Sequence, residues 1–165
     1  MVQKKNAKTI TLVVSAVVII SSFVYVPDWS VIGVSEGCSL LARFGYSFFH
    51  ASPVHAFVNV WCLLCIVFLY DISVWRLLGA YIAAITVPEF LLSEIPTVGL
   101  SCVCYTLLGS LSFCVKRKLY FQLCIIAYIA IGFLFPSVNS AIHVYGYLTG
   151  VFAGTVLFFI RCARK

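Results

Sequence analysis

Long apolar runs follow one another along the chain with scarcely a charge inside them, and this constrains the fold more than any other feature. The hydrocarbon core of a bilayer is ~30 Å thick and takes ~20 apolar residues per spanning helix. Six runs of that order stand out: Ile10 to Val26, Pro53 to Tyr70, Val74 to Leu92, Val98 to Val115, Leu119 to Phe135, and Asn139 to Ile160. They are continuous rather than alternating, which reads as helix, and an unclosed strand would leave backbone groups unpaired in lipid. Six such spans nearly exhaust 165 residues, so no separate soluble domain remains. The expectation is an all-α membrane protein, a six-transmembrane-helix bundle forming one domain over residues 1–165. Composition agrees: the chain is 63% hydrophobic and 10% charged, where soluble domains run at about 45–50% apolar and about 25% charged. No water-soluble fold covers that much apolar surface.

A net charge of +6 invites a nucleic-acid partner, but the basic residues stand in short clusters between apolar runs rather than along one face. They read as topology signals. With the N-terminus inside, Lys4, Lys5, Lys8, Arg76, Lys116, Arg117, Lys118, Arg161, Arg164 and Lys165 fall on the cytoplasmic side, and Arg43 alone falls outside. An even number of spans then puts both termini in the cytoplasm. Lys4, Lys5 and Lys8 resemble a signal-peptide head, yet the run behind them is long and has no small-residue cleavage site, so it is kept as the first span. The connection from Pro27 to Phe49 carries Trp29, Leu40, Leu41, Phe44, Tyr46 and Phe48, and is expected to lie at the interface. Most of the eight cysteines lie within apolar runs, where a thiol behaves as a small hydrophobe, and no disulfide is expected. Cys62 and Cys65 have CxxC spacing but stand mid-span without further ligands.

Polar groups inside spans are costly and mark function by default. Here they converge on one depth. His55 and Asn59 lie near the start of the second span, Ser101 near the start of the fourth and His143 near the start of the sixth. These three helices run from outside to inside, so at ~1.5 Å per residue all four groups fall within roughly 10 Å of the outer boundary. His55 and Asn59 are four apart, as are Ser101 and Tyr105, so each pair shares a helix face. In the last span Gly146, Gly150 and Gly154 form a small-xxx-small stripe with His143 one turn above, which lets a neighbouring backbone approach closely. Gly109, two turns below Ser101, points to the fourth span as that neighbour.

The segment His50-Ala-Ser-Pro-Val-His55-Ala-Phe-Val-Asn59, then Gly99-Leu100-Ser101 with Tyr105 and Gly109, then His143 with Gly146 and Gly150, resembles the rhomboid family of intramembrane serine proteases. The three motifs stand in family order, and the likeness covers the chain from about Arg43 to Gly154, with a catalytic core over about 43–160. The resemblance implies a rhomboid-like bundle in which Ser101 is the nucleophile and His143 the general base. It implies an oxyanion hole made of His55, Asn59 and the backbone N–H groups of Ser101 and Leu100. His50 would be a structural histidine, and Tyr105 would pack against the His143 ring. Cys102 stands where the family usually has Gly, and Ile142 where it usually has Ala. The Trp-Arg signature of the first loop in many members is missing, Arg43 being the one basic residue there.

Other hydrolase patterns fail. A nucleophile elbow needs Gly at 103, where Val103 stands, and a strand before the serine. The H-E-x-x-H pair of zincins is missing, and no carboxylate accompanies the three histidines, so neither a metal nor another cofactor is expected. Glu89 and Glu94, near the outer end of the third span, read as solvated or helix-pairing groups. No acidic residue lies on the last span, so the expected machinery is a Ser–His dyad rather than a triad.

The expected partners are the lipid bilayer and membrane proteins whose spanning segments are cut; nucleic acid is not among them. A spanning helix hides its carbonyls in i→i−4 bonds, so segments weakened by Gly or Pro near the outer surface are the expected substrates. By resemblance, cleavage follows a small residue and the fifth span is the lateral gate. The expected location is a bacterial plasma (inner) membrane with the site opening to the extracytoplasmic side. A second reading is a catalytically weak or inactive rhomboid-like protein that binds transmembrane helices. A transporter or channel fits less well, since no charged pathway crosses the membrane.

Overall fold

The structure is a computed structural model that describes residues 2–163, with side chains over 3–160. Arg164 and Lys165, and the side chain of Arg161, which entered the charge count above, lie outside the described residues. Seven helices follow in order: α1 (Val2–Ser21), α2 (Leu40–Gly45), α3 (Pro53–Leu69), α4 (Val74–Ile85), α5 (Ser101–Ser110), α6 (Lys118–Gly132) and α7 (Ser140–Ala163). Short 3-10 turns lie at Trp29–Val31, Tyr46–Phe48 and Glu89–Leu91. Among the described residues the remaining regular pairing is a single antiparallel bridge between Val34 and Thr97.

Small polar side chains set where the helices begin. Ser39, Ser52 and Ser73 each accept a backbone N–H three residues on, opening α2, α3 and α4, and Pro53 fills the first position of α3. Asn139 accepts the Ile142 N–H and opens α7. Such caps satisfy backbone donors that a helix start leaves free.

The helices are shorter than several of the spans drawn from the sequence. The third span, expected to reach Leu92, is helical only to Ile85, because Thr86 turns its hydroxyl back onto the Ile82 carbonyl at 2.8 Å and Pro88 follows. The fourth, expected over Val98 to Val115, is helical only over Ser101–Ser110. Ahead of it Gly99 takes φ +132, a conformation that ends regular helix and that side chains resist. Among the described residues one helix, over Ser140–Ile160, is long and apolar enough by itself to cross a membrane. The pair Leu40–Phe48 and Pro53–Leu69 passes the same test jointly but is bent by 82°. α2 therefore turns away from α3, as an interfacial segment would. Leu40 and Leu41 are exposed, but Tyr46, expected at the interface, is buried.

The two ends of the bundle differ in chemistry. At one end Lys8 and Lys4 reach Asp71 in the α3–α4 turn, at 2.9 and 3.5 Å. The hydrogen bond from Lys8, and then the Lys4 charge, hold the Asp71 carboxyl below its ordinary range. Arg76, opening α4, points to Cys114 beyond the end of α5 at 3.9 Å. The opposite end gathers the starts of α3, α5 and α7 and the loops tied by the Val34–Thr97 bridge. There Arg43 donates to the Val87 carbonyl at 2.6 Å and Glu89 accepts the Gly37 N–H at 2.7 Å. The main core lies between these ends, around Leu63, Ala80, Leu107 and Ile142.

Candidate active site

Ser101 is the first residue of α5, so its own N–H is among the four that have no partner within the helix. The side chain meets α7: Ser101 Oγ lies 2.9 Å from His143 Nε2. Glycines make that meeting possible. A Cβ on Gly146 would come within 2.8 Å of the Cys102 carbonyl oxygen, and one on Gly154 within 2.8 Å of the Ser110 oxygen. One on Gly150 would strike the Thr106 carbonyl, and one on Gly109 the Tyr147 carbonyl. α5 and α7 are thus in backbone contact along their common length, as the stripe of small residues anticipates. Cys102 and Ile142 are both buried in this packing.

The His143 ring stacks on Tyr105, with centroids 4.5 Å apart and planes at 28°. Its other nitrogen, Nδ1, is buried and has no hydrogen-bond partner among the described residues. For Nε2 to accept the serine proton, the ring proton must sit on Nδ1. Orientation of the ring therefore comes from packing rather than from a carboxylate.

His50 and His55 lie edge to face beside this pair, 4.8 Å between centroids. The His55 ring closes on Gly99, where an added Cβ would lie 3.0 Å from its Cε1. That approach, together with the positive φ, is why glycine stands there. His50 is buried, and its Nε2 accepts the Leu100 N–H at 3.1 Å. The Leu100 N–H, expected to face a developing oxyanion, is thus engaged by His50, and Leu100 itself is buried. Asn59 is buried one turn below His55 and donates its amide to the His55 carbonyl at 3.1 Å. The structure therefore gathers Ser101, His143, Tyr105, His55, His50 and Gly99 at one end of the bundle, with Asn59 adjoining but turned onto its own helix.

Tyr46 escapes the sequence reading. Its hydroxyl donates to the Ala84 carbonyl at 3.0 Å, and its carbonyl accepts the Gly99 N–H at 3.0 Å, which fixes the entry into α5. An aromatic two and three residues before the half-buried Phe48 and Phe49 carries no periodic signal that separates it from its interfacial neighbours. Among the described residues no three His, Cys, Asp or Glu side chains converge to hold a metal.

The family model described as Rhomboid domain matches residues 37–164, well over half of the chain. The chain belongs to the rhomboid family. Membership makes it an integral membrane protein, in agreement with the apolar runs of the sequence. The match opens just before α2 and runs through α7, so within the rhomboid domain lie all of the residues assembled around Ser101. No curated protein and no solved structure matches the chain.

Proposed function

We propose that this rhomboid-family chain is a serine endopeptidase that cuts transmembrane segments of membrane proteins with a Ser101–His143 dyad. The observation that carries the reading is the 2.9 Å contact between Ser101 Oγ and His143 Nε2, held by a ring stacked on Tyr105. A serine hydroxyl is a weak nucleophile until a base takes its proton. His143 Nε2 accepts that proton as Ser101 Oγ bonds to the scissile carbonyl carbon. The carbonyl oxygen becomes an oxyanion, for which Ser101 N–H, His55 and Asn59 are the available donors. His143 then returns the proton to the leaving amine as the C–N bond breaks, leaving an acyl-serine. Water, deprotonated by the same ring, hydrolyses that ester and restores the hydroxyl. Asn59 must release the His55 carbonyl to take part, and catalytic hydrogen bonds often tighten only when substrate is bound.

The same reading takes six spans, formed by α1, α3, α4, α5, α6 and α7, with α2 along the interface. The shortness of α5 is compatible with this, since irregular backbone at membrane depth is tolerated where protein surrounds it. The lysine-rich end faces the cytoplasm, with both termini there, and the dyad opens to the extracytoplasmic side of a bacterial plasma membrane. Substrates are spanning segments loosened by Gly or Pro near that side.

The test is labelling by a fluorophosphonate or isocoumarin probe, followed by cleavage of a transmembrane substrate in liposomes. Wild type reacts and cleaves, and Ser101→Ala does neither. Equal cleavage by both would end the proposal. A folded wild type inert to probe and substrate alike would instead favour a rhomboid-like protein that binds helices without cutting them.

A further inference from the structure

Between α1 and α4 lies an apolar cavity of about 250 Å³, bounded among others by Ile10, Thr11, Leu77, Tyr81, Leu100 and Val103. Thr11 and Tyr81 are the polar residues of its lining, but the Thr11 hydroxyl is buried behind the wall, with the residue 1% exposed, and the Tyr81 hydroxyl donates to the Phe44 carbonyl at 2.7 Å. Just outside one end of this cavity is a second, polar concavity of about 570 Å³, lined by Lys4, Lys5, Lys8 and Asp71. The two hollows are lined by neighbouring stretches of the same elements. Lys8 stands one turn before Thr11 on α1, and Asp71 stands three residues before Val74, which borders the cavity at the start of α4. Lys4, Lys8 and Thr11 follow at i, i+4 and i+7, hence on one face of the helix. Three lysines line the hollow with one carboxylate, which pairs with Lys4 and Lys8, so the hollow keeps an excess of positive charge.

We propose that this pair of hollows binds one anionic glycerophospholipid from the leaflet at the lysine end, with an acyl chain in the α1–α4 cavity. The headgroup phosphate lies among Lys4, Lys5 and Lys8. Ile10 and Thr11, ~3–4.5 Å deeper than Lys8 at the rise of a helix, begin the apolar lining that takes the chain. The order along α1 is cation and then apolar wall, which matches the order phosphate and then hydrocarbon along the lipid. The far wall is Leu100 and Val103, so the acyl chain abuts the turn of α5 that carries Ser101. The inference rests on membrane insertion and is independent of whether the chain is catalytic.

The test uses the full chain in phosphatidylcholine nanodiscs with a trace of phosphatidylglycerol or phosphatidylcholine carrying the same diazirine-bearing acyl chain. Phosphatidylglycerol is expected to label residues of the cavity more than phosphatidylcholine by at least about fivefold, the factor that one lysine near an anionic surface is worth. High salt narrows that preference in the wild type. Lys4→Gln with Lys5→Gln and Lys8→Gln brings phosphatidylglycerol down to the phosphatidylcholine level. Leu77→Trp, which fills the cavity and leaves every lysine in place, removes the cavity adducts of both lipids. Equal labelling of the wild type by the two lipids at low salt would overturn the proposal, as would phosphatidylglycerol adducts confined to the outward faces of other helices.

Discussion

α5 and α6 are neighbours in sequence, yet they are held in the bundle by different means. Seven of the ten residues of α5 are buried, against two of the fifteen of α6, Ile125 and Ile129. α5 meets α7 through backbone, at Gly109, Gly146, Gly150 and Gly154. α6 meets it through side chains, with Ile125 and Ile129 on Tyr147. In lipid there is little hydrophobic drive to bring helices together, so closeness of packing decides which of them are fixed. The difference teaches a division of labour: the α5–α7 seam sets the Ser101–His143 distance, and α6 is the more weakly anchored helix, the one that the proposed protease would move to admit a substrate.

The comparison breaks most severely at Gly150. Its added Cβ would strike the Thr106 carbonyl, a backbone atom that cannot rotate aside. Overpacking a close-fitting site costs about 1–3 kcal/mol and sometimes more, and a misplacement of ~1 Å at a catalytic pair costs about 10²-fold. Gly150→Ala is therefore expected to abolish probe labelling of Ser101 and to lower the unfolding temperature in detergent. A fully active Gly150→Ala would show that the seam does not set the dyad.

Next in size is the loss of Asn59, an oxyanion donor under the proposed function. Asn59→Ala is expected to reduce kcat on a transmembrane substrate by about 10²–10³, with the unfolding temperature little changed because its amide bonds only to its own helix. Tyr105 comes below it. The ring stacks on His143 and the hydroxyl has no role in that contact, so Tyr105→Phe keeps activity and Tyr105→Ala loses up to about 10²-fold. Equal losses in both variants would assign the effect to the hydroxyl instead.

The seam and the Ser101–His143 contact are legible in the sequence because each is written in residue types with few alternatives. Glycines at i, i+4 and i+8 serve close approach, and histidine, serine and asparagine at one depth in apolar runs need a polar reason to be there. What hydropathy leaves out is where regular backbone stops inside an apolar run. Val98 to Val115 carries no charge and reads as one span, yet Gly99 at φ +132 and the tie from Tyr46 hold its first residues out of the helix. That irregular entry is what hands the Leu100 N–H to His50, a partnership between residues fifty positions apart that no local pattern announces. Tyr46 itself reads as one more interfacial aromatic, since burial by a distant loop leaves no mark on hydropathy.

On the loose side of the comparison, Ile129→Ala removes one of the two buried anchors of α6. The unfolding temperature is expected to fall by less than in Gly150→Ala, because neighbouring side chains can relax into the space. Cleavage is expected to persist or rise, since the dyad is untouched and entry is eased. A loss of activity as deep as that of the seam variant would mean that α6 is as much a part of the rigid frame as α7.

The smallest effect separates seam glycines from glycine in general. Gly79, within α4, has nothing within 4 Å of where a Cβ would stand, so alanine meets no obstacle there. Glycine inside a helix costs roughly 0.5–1 kcal/mol relative to alanine. Gly79→Ala should therefore leave turnover unchanged and raise the unfolding temperature slightly, opposite in sign to Gly150→Ala. If the two substitutions lowered stability alike, the bundle would be intolerant of any added methyl group. The special standing of the α5–α7 contact would then rest on the Ser101–His143 distance alone.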